Sequence, residues 1–135
     1  MKRSRTAAAL VLTAILLAGC GGGGMLKPKG RVVQGGTAFT IKEGADLGVF
    51  FYPLDADGKL GKTVYPAYFN ASDGTFTVTG SDKRGLPPGK YRVVVEHKLN
   101  KKDLFNGTYD MNRSPFVFDV DTNTAEIVID LDKKS

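Results

Sequence analysis

This chain of 135 residues has one cysteine, one histidine and no tryptophan. A lone cysteine excludes an intrachain disulfide framework and a cysteine-based zinc cluster. A lone histidine leaves little material for a triad or a multi-histidine metal site. Acidic groups are outnumbered, 14 against 19 basic ones, giving a formal charge of +5. Long apolar runs are nearly absent. The one that exists, residues 7–18, is interrupted by Thr13 and falls short of the roughly 20 residues that span a bilayer. From residue 31 onward, helical spacing of apolar residues never persists for three turns. The length suits one domain and is too small for two ordinary ones.

What is present begins at the N-terminus. Lys2, Arg3 and Arg5 make a basic start, the apolar run follows, and Leu17-Ala18-Gly19-Cys20 closes it. A charged start, a short apolar stretch and small residues describe a secretory signal peptide over residues 1–19. The closing tetrapeptide resembles the lipobox of bacterial lipoproteins. That resemblance implies cleavage before Cys20, with its thiol carrying diacylglycerol and its amine acylated, palmitate being a typical chain. Residues 20–29 then read as a lipidated cysteine and a flexible tether, opened by four glycines. Gly21 follows the cysteine where an aspartate would retain inner-membrane lipoproteins. The resemblance therefore implies the bacterial cell envelope, and the outer membrane in a two-membrane cell.

Cleavage also changes the charge. Residues 1–19 take Lys2, Arg3 and Arg5 with them and contain no acid, so 16 basic groups face 14 acidic ones. The side-chain charge falls to +2, and nucleic-acid binding loses its electrostatic support.

From residue 30 onward the pattern is β. Gly30-Arg31-Val32-Val33 is a candidate first strand. Residues 47–52 are apolar except Gly48 and predict a strand covered on both faces. Residues 63–69 are strand-like, but Pro66 predicts an edge or a bulge. Thr75-Phe76-Thr77-Val78-Thr79 alternates, as do residues 90–98, 116–121 and 125–132. Asp57-Gly58, Asp73-Gly74 and Asn106-Gly107 are turns that supply positive φ. Seven short strands in about 100 residues predict an all-β, seven-stranded Greek-key β-sandwich over residues 30–133. Phe76, Tyr91, Val93, Phe116, Phe118, Ile127 and Ile129 are its expected core.

The order of these segments resembles the carboxypeptidase regulatory-like domain, a transthyretin-like (prealbumin-like) sandwich. The resemblance rests on Gly30-Arg31-Val32-Val33, Phe50-Phe51-Tyr52-Pro53, Ser72-Asp73-Gly74-Thr75-Phe76, Ser114-Pro115-Phe116 and above all Leu86-Pro87-Pro88-Gly89-Lys90-Tyr91. It covers residues 30–132 and implies a structural, folding-assisting or binding module. The stretch 34–46 departs from the family's short hairpin. The stretch 99–113 departs from it as a long polar insertion.

The candidate sites are few. Asp119, Asp121, Asn123 and Asp130 hold positions 1, 3, 5 and 12 of a calcium-loop register, but Thr124 stands where glycine is needed. Strand alternation accounts for these acids equally well. Asp55-Ala56-Asp57-Gly58 reads as a β-turn. His97 continues the face of Val93 and Val95, and a lone histidine near a strand end is more often a surface or satisfied core residue than a ligand. Glu96 points to the opposite face. Ser114 has no GxSxG elbow. No phosphate loop follows a strand. Tyr52, Tyr65, Tyr68 and Tyr109 could expose rings beside an edge strand, where sugars stack, although core packing explains tyrosines as well. The segment 99–113, with Lys101 and Lys102, is the expected partner contact. The expectation is a non-enzymatic envelope lipoprotein without cofactor or metal, contacting the membrane through lipid on Cys20 and an envelope protein through its domain. The alternative is a carbohydrate-binding surface lipoprotein.

Overall fold

The computed structural model describes residues 24–133. The expected signal peptide, Cys20 and the first glycines of the tether lie outside the described residues. Among the described residues there are nine strands and no helix: β1 (Lys29–Gln34), β2 (Thr37–Ala38), β3 (Asp46–Leu54), β4 (Tyr65–Asn70), β5 (Thr75–Val78), β6 (Gly89–Leu99), β7 (Lys102–Asp103), β8 (Val117–Val120) and β9 (Ile127–Asp130). The seven longer strands fall where alternation, short β-rich or apolar runs and turn residues put them.

The strands form one curled, mainly antiparallel sheet. β1 pairs in parallel with β9 on one edge. Its other edge meets β5 along residues 29–31 and β2 along residues 33–34. From β5 the sheet continues antiparallel through β4, β3 and β6. The far edge of β6 carries β8 near its start and β7 at its end. β3 and β6 share nine residue pairs, from Asp46↔Lys98 to Leu54↔Lys90, and form the longest ladder.

Period-two alternation turns one face of each strand inward. Val32, Val49, Phe51, Phe76, Val78, Tyr91, Val93, Val95, Phe116, Val120 and Ile129 are almost wholly buried there. Phe51 meets the rings of Phe76 and Tyr91 at 6.1 Å each. The Tyr91 hydroxyl donates to the carbonyl of Pro87. Burial, reinforced by Tyr65, pushes its phenol up to about 12. The Pro87-Pro88 segment is therefore tied to the core by the strand that it starts.

Several expectations need correction. β4 is no edge strand, because β3 and β5 flank it on both sides. Pro66 is tolerated because its carbonyl accepts the amides of Thr79 and Gly80, at 3.2 and 3.0 Å. In an antiparallel strand a residue's nitrogen faces the same neighbour as its carbonyl. The missing N–H thus points past Val78, the last residue of β5, where no ladder bond is lost. β3 is fully covered on one face and only partly on the other, where Phe50 and Tyr52 are half-buried. Phe118 is half-buried at the edge of the sheet, where β6 is the one strand paired with β8 among the described residues. The stretch 34–46 does contain a short hairpin: Gln34 pairs Thr37 around Gly35-Gly36, whose φ values are +60° and +77°. Such a two-residue turn requires left-handed backbone, which glycine adopts without strain.

The tether also ends earlier than expected. The Leu26 amide donates to Leu86 O at 2.7 Å, and the Leu86 amide returns the bond at 2.9 Å. The chain is fixed from Leu26, leaving residues 21–25 between Cys20 and the fold.

Candidate functional site

At the end of the fold remote from Leu26, residues 99–113 form a compact cap. Asn100 and Lys101, at φ 51° and 67°, turn the chain from β6 into β7. Asp103 then organises the segment. Its Oδ1 accepts the amides of His97 at 3.0 Å and Phe105 at 3.1 Å, and its Oδ2 accepts that of Gly107 at 2.9 Å. The Arg113 guanidinium donates to Asn106 O at 3.1 Å. So anchored, the segment turns Phe105 and Tyr109 inward. Tyr109 stacks on Phe116 at 5.3 Å and meets Phe105 edge-on at 5.1 Å. Its hydroxyl donates to Leu131 O, and burial raises its phenol above the ordinary value.

Tyr109 is therefore a core residue, not an exposed ring: only 8% of it is accessible. The polar composition of 99–113 hid this, because its charged and amide groups turn back onto their own backbone. Lys101 and Lys102 are exposed at the tip of the cap.

His97 lies under the same cap. Its ring meets Phe39 edge-on at 5.3 Å and Phe105 at 5.4 Å. Nε2 accepts the Lys42 amide at 3.2 Å, so the imidazole is neutral when this bond is made. Burial lowers its pKa from the ordinary value, Asp103 pulls it partway back and Lys42 lowers it further. Glu96 points outward and pairs with Lys98 at 2.7 Å. Ser114 is buried with its hydroxyl donating to Val93 O. His97 is four residues further along the strand, about 13 Å away at strand rise. The two side chains do not share a site.

The acidic positions are not brought together either. Asp119 stands opposite Lys90 on β6, whereas Asp130 stands opposite Val33 on β1. Asp121 Oδ1 accepts the Asn123 amide at 2.8 Å, an ordinary turn contact. Asp55 Oδ1 accepts the amides of Asp57 and Lys59. Among the described residues no three His, Cys, Asp or Glu side chains converge as a metal site.

The remaining tyrosines divide by face. Tyr65 turns inward and meets Tyr91 edge-on at 5.9 Å. Tyr52 and Tyr68 belong to the outer face of β3 and β4, with Phe50 and Pro66. Tyr68 is 70% exposed and lies beside Gly48 in the extended register of these strands. A Cβ on Gly48 would come within 2.5 Å of the Phe50 ring, which therefore lies over that glycine. Arg92 pairs Tyr52 on this face. It donates to Met111 O at 3.1 Å while its Nε is buried without a partner. Sequence reading missed Phe50, although it shares strand parity with Tyr52.

An open groove of about 710 Å³ lies at the opposite end from the cap. Lys27, Pro28 and Lys29, leading into β1, line its middle, with Thr75 and Thr77 of β5 on one side and Thr124, Ala125 and Glu126 before β9 on the other. Sequence reading had assigned Lys27 and Lys29 to the tether.

No protein-family model, curated protein or solved structure matches the chain.

Proposed function

We propose that this protein is a lipid-anchored lipoprotein of the bacterial envelope whose domain is a non-catalytic structural or protein-interaction module. The observation that carries the reading is Leu17-Ala18-Gly19-Cys20, ending on the chain's only cysteine six residues before backbone pairing begins at Leu26. An export-type N-terminus, a single thiol and a short glycine spacer are the parts that membrane tethering needs.

The strand order supports a transthyretin-like, carboxypeptidase regulatory-like sandwich. The order β9–β1–β5–β4–β3–β6–β8 runs through one curled sheet, in which the β4–β5 ladder joins a β5–β1–β9 part to a β4–β3–β6–β8 part. The chain crosses between these parts on leaving β2, β4, β5 and β8, as a Greek-key path would. The non-catalytic reading draws support from His97 and Ser114, whose polar atoms are committed to separate structural bonds, one to the Lys42 amide and one to Val93 O, four residues before His97 on β6. The exposed tip at Lys101 and Lys102 faces away from the anchored end, where an envelope partner has access.

Mass spectrometry of the protein extracted from native membranes tests the anchor. The expected N-terminus is a diacylglyceryl Cys20; an unmodified Cys20, or retention of residues 1–19, refutes it. A second reading, carbohydrate binding, is favoured by one observation, the outer face bearing Tyr68, Phe50 and Tyr52. Retention on insoluble envelope polysaccharide that Tyr68→Ala abolishes supports it, and no retention above a serum-albumin control rejects it.

A further inference from the structure

We infer that the groove beside the tether is the domain's contact with its own membrane, where Lys27 and Lys29 take the phosphate of an anionic phospholipid headgroup. This rests on the anchoring of Cys20 proposed above. Only residues 21–25 separate that cysteine from Leu26. A glycine-rich coil of that length spans roughly 12 Å r.m.s.. Whatever surrounds Leu26 is therefore held beside the headgroup layer.

The surroundings suit that layer. Met25 is 41% exposed at the point where the chain leaves the fold. Lys27 and Lys29 follow with exposed side chains. Lys83 stands on the turn that leads into Leu86, the backbone partner of Leu26. The nearby acids are partly offset by cations of their own: Asp82 pairs with Arg84 at 2.7 Å, and Glu126 with Arg31 at 3.2 Å. None of the ion pairs among the described residues involves Lys27, Lys29 or Lys83. Asp121 lies beyond Thr124 on the β9 side, its Oδ1 occupied by the Asn123 amide. The segment nearest the anchor is thus basic, and the open groove it lines has room for a phosphate group.

One lysine near an anionic surface strengthens binding only about fivefold. That is too little to recruit a soluble protein. It is enough to orient one that a covalent anchor already holds at high local concentration. In that orientation the cap, with Lys101 and Lys102, points away from the bilayer.

The test uses the mature lipidated protein in vesicles of phosphatidylcholine alone, or of equimolar phosphatidylcholine and phosphatidylglycerol. Amine acetylation is read at each lysine by mass spectrometry. Lys27, Lys29 and the neighbouring Lys83 should react severalfold more slowly in the anionic vesicles, with Lys101 and Lys102 unchanged. The variant Lys27→Gln/Lys29→Gln should still float with vesicles and should restore fast acetylation at Lys83. Equal rates at Lys27 and Lys29 in both vesicles, with the protein floating, overturn this inference alone. Protection by inorganic phosphate in neutral vesicles overturns the lipid as ligand. Failure to float with either vesicle overturns the anchor and the inference together.

Discussion

Tyr109→Ala is the substitution that best separates a buried cap from a binding loop. The ring is 8% exposed, stacked on Phe116 and edge-on to Phe105. A tyrosine buries about 150–250 Å², which at roughly 25 cal/mol per Å² gives an upper bound of about 4–6 kcal/mol. Measured aromatic-to-alanine losses in cores run at about 3–5 kcal/mol, and that is the expected cost here. Tyr109→Phe keeps the ring and removes only the donor to Leu131 O, for about 1 kcal/mol. Tyr68→Ala, at a ring 70% exposed, should stay within about 0.5 kcal/mol of the parent. Urea unfolding of the three variants, read by near-ultraviolet dichroism, gives these differences at constant slope. Total stability of such a domain is about 5–15 kcal/mol, so Tyr109→Ala should remove a third or more in most of that range. If Tyr109→Ala and Tyr68→Ala proved equally harmless, the cap would not be part of the core.

Two further outcomes follow from the same region. Asp103→Ala leaves the amides of His97, Phe105 and Gly107 without their acceptor and should cost at least about 2 kcal/mol, whereas Asp103→Asn keeps one carbonyl oxygen and should cost less; equal losses in chemical denaturation would reject this account. The folded pKa of His97 is depressed, so the unfolded chain binds the proton first: this part of the stability is present above about pH 6.5 and is lost as pH falls below it, a dependence that His97→Gln should flatten and that melting temperature against pH would reveal.

Alternation located β5, β6, β8 and β9, because a half-buried strand writes its inner face at every second residue, while β1, β3 and β4 were legible as short β-rich or apolar runs. Phe76 with Val78, and Tyr91 with Val93 and Val95, could be read without knowing what they would touch. Neighbour relations could not. Pro66 is forbidden only where its nitrogen faces a ladder partner, and its actual neighbour stops at Val78. That is a property of where β5 ends, invisible in β4 itself. The cap failed for a related reason. Asp103, Asp110 and Arg113 read as solvent groups, but they are satisfied by amides and carbonyls within ten residues of themselves, which frees Phe105 and Tyr109 to turn inward.

The same logic governs the candidate surfaces. The four candidate tyrosines are chemically equivalent in the sequence, but strand parity and the cap distribute them differently. Tyr65 and Tyr109 join the interior, while Tyr52 and Tyr68 remain on the outer face. Lys27 and Lys29 looked like tether because nothing local marks Leu26 as paired; its partner, Leu86, is 60 residues away. A short segment such as 24–29 acquires meaning only when that pairing fixes it against the Lys83 turn and the start of β9. With Leu26 fixed, only five residues separate Cys20 from the fold, and under the proposed anchoring the orientation of the domain becomes a question of which side chains line that end.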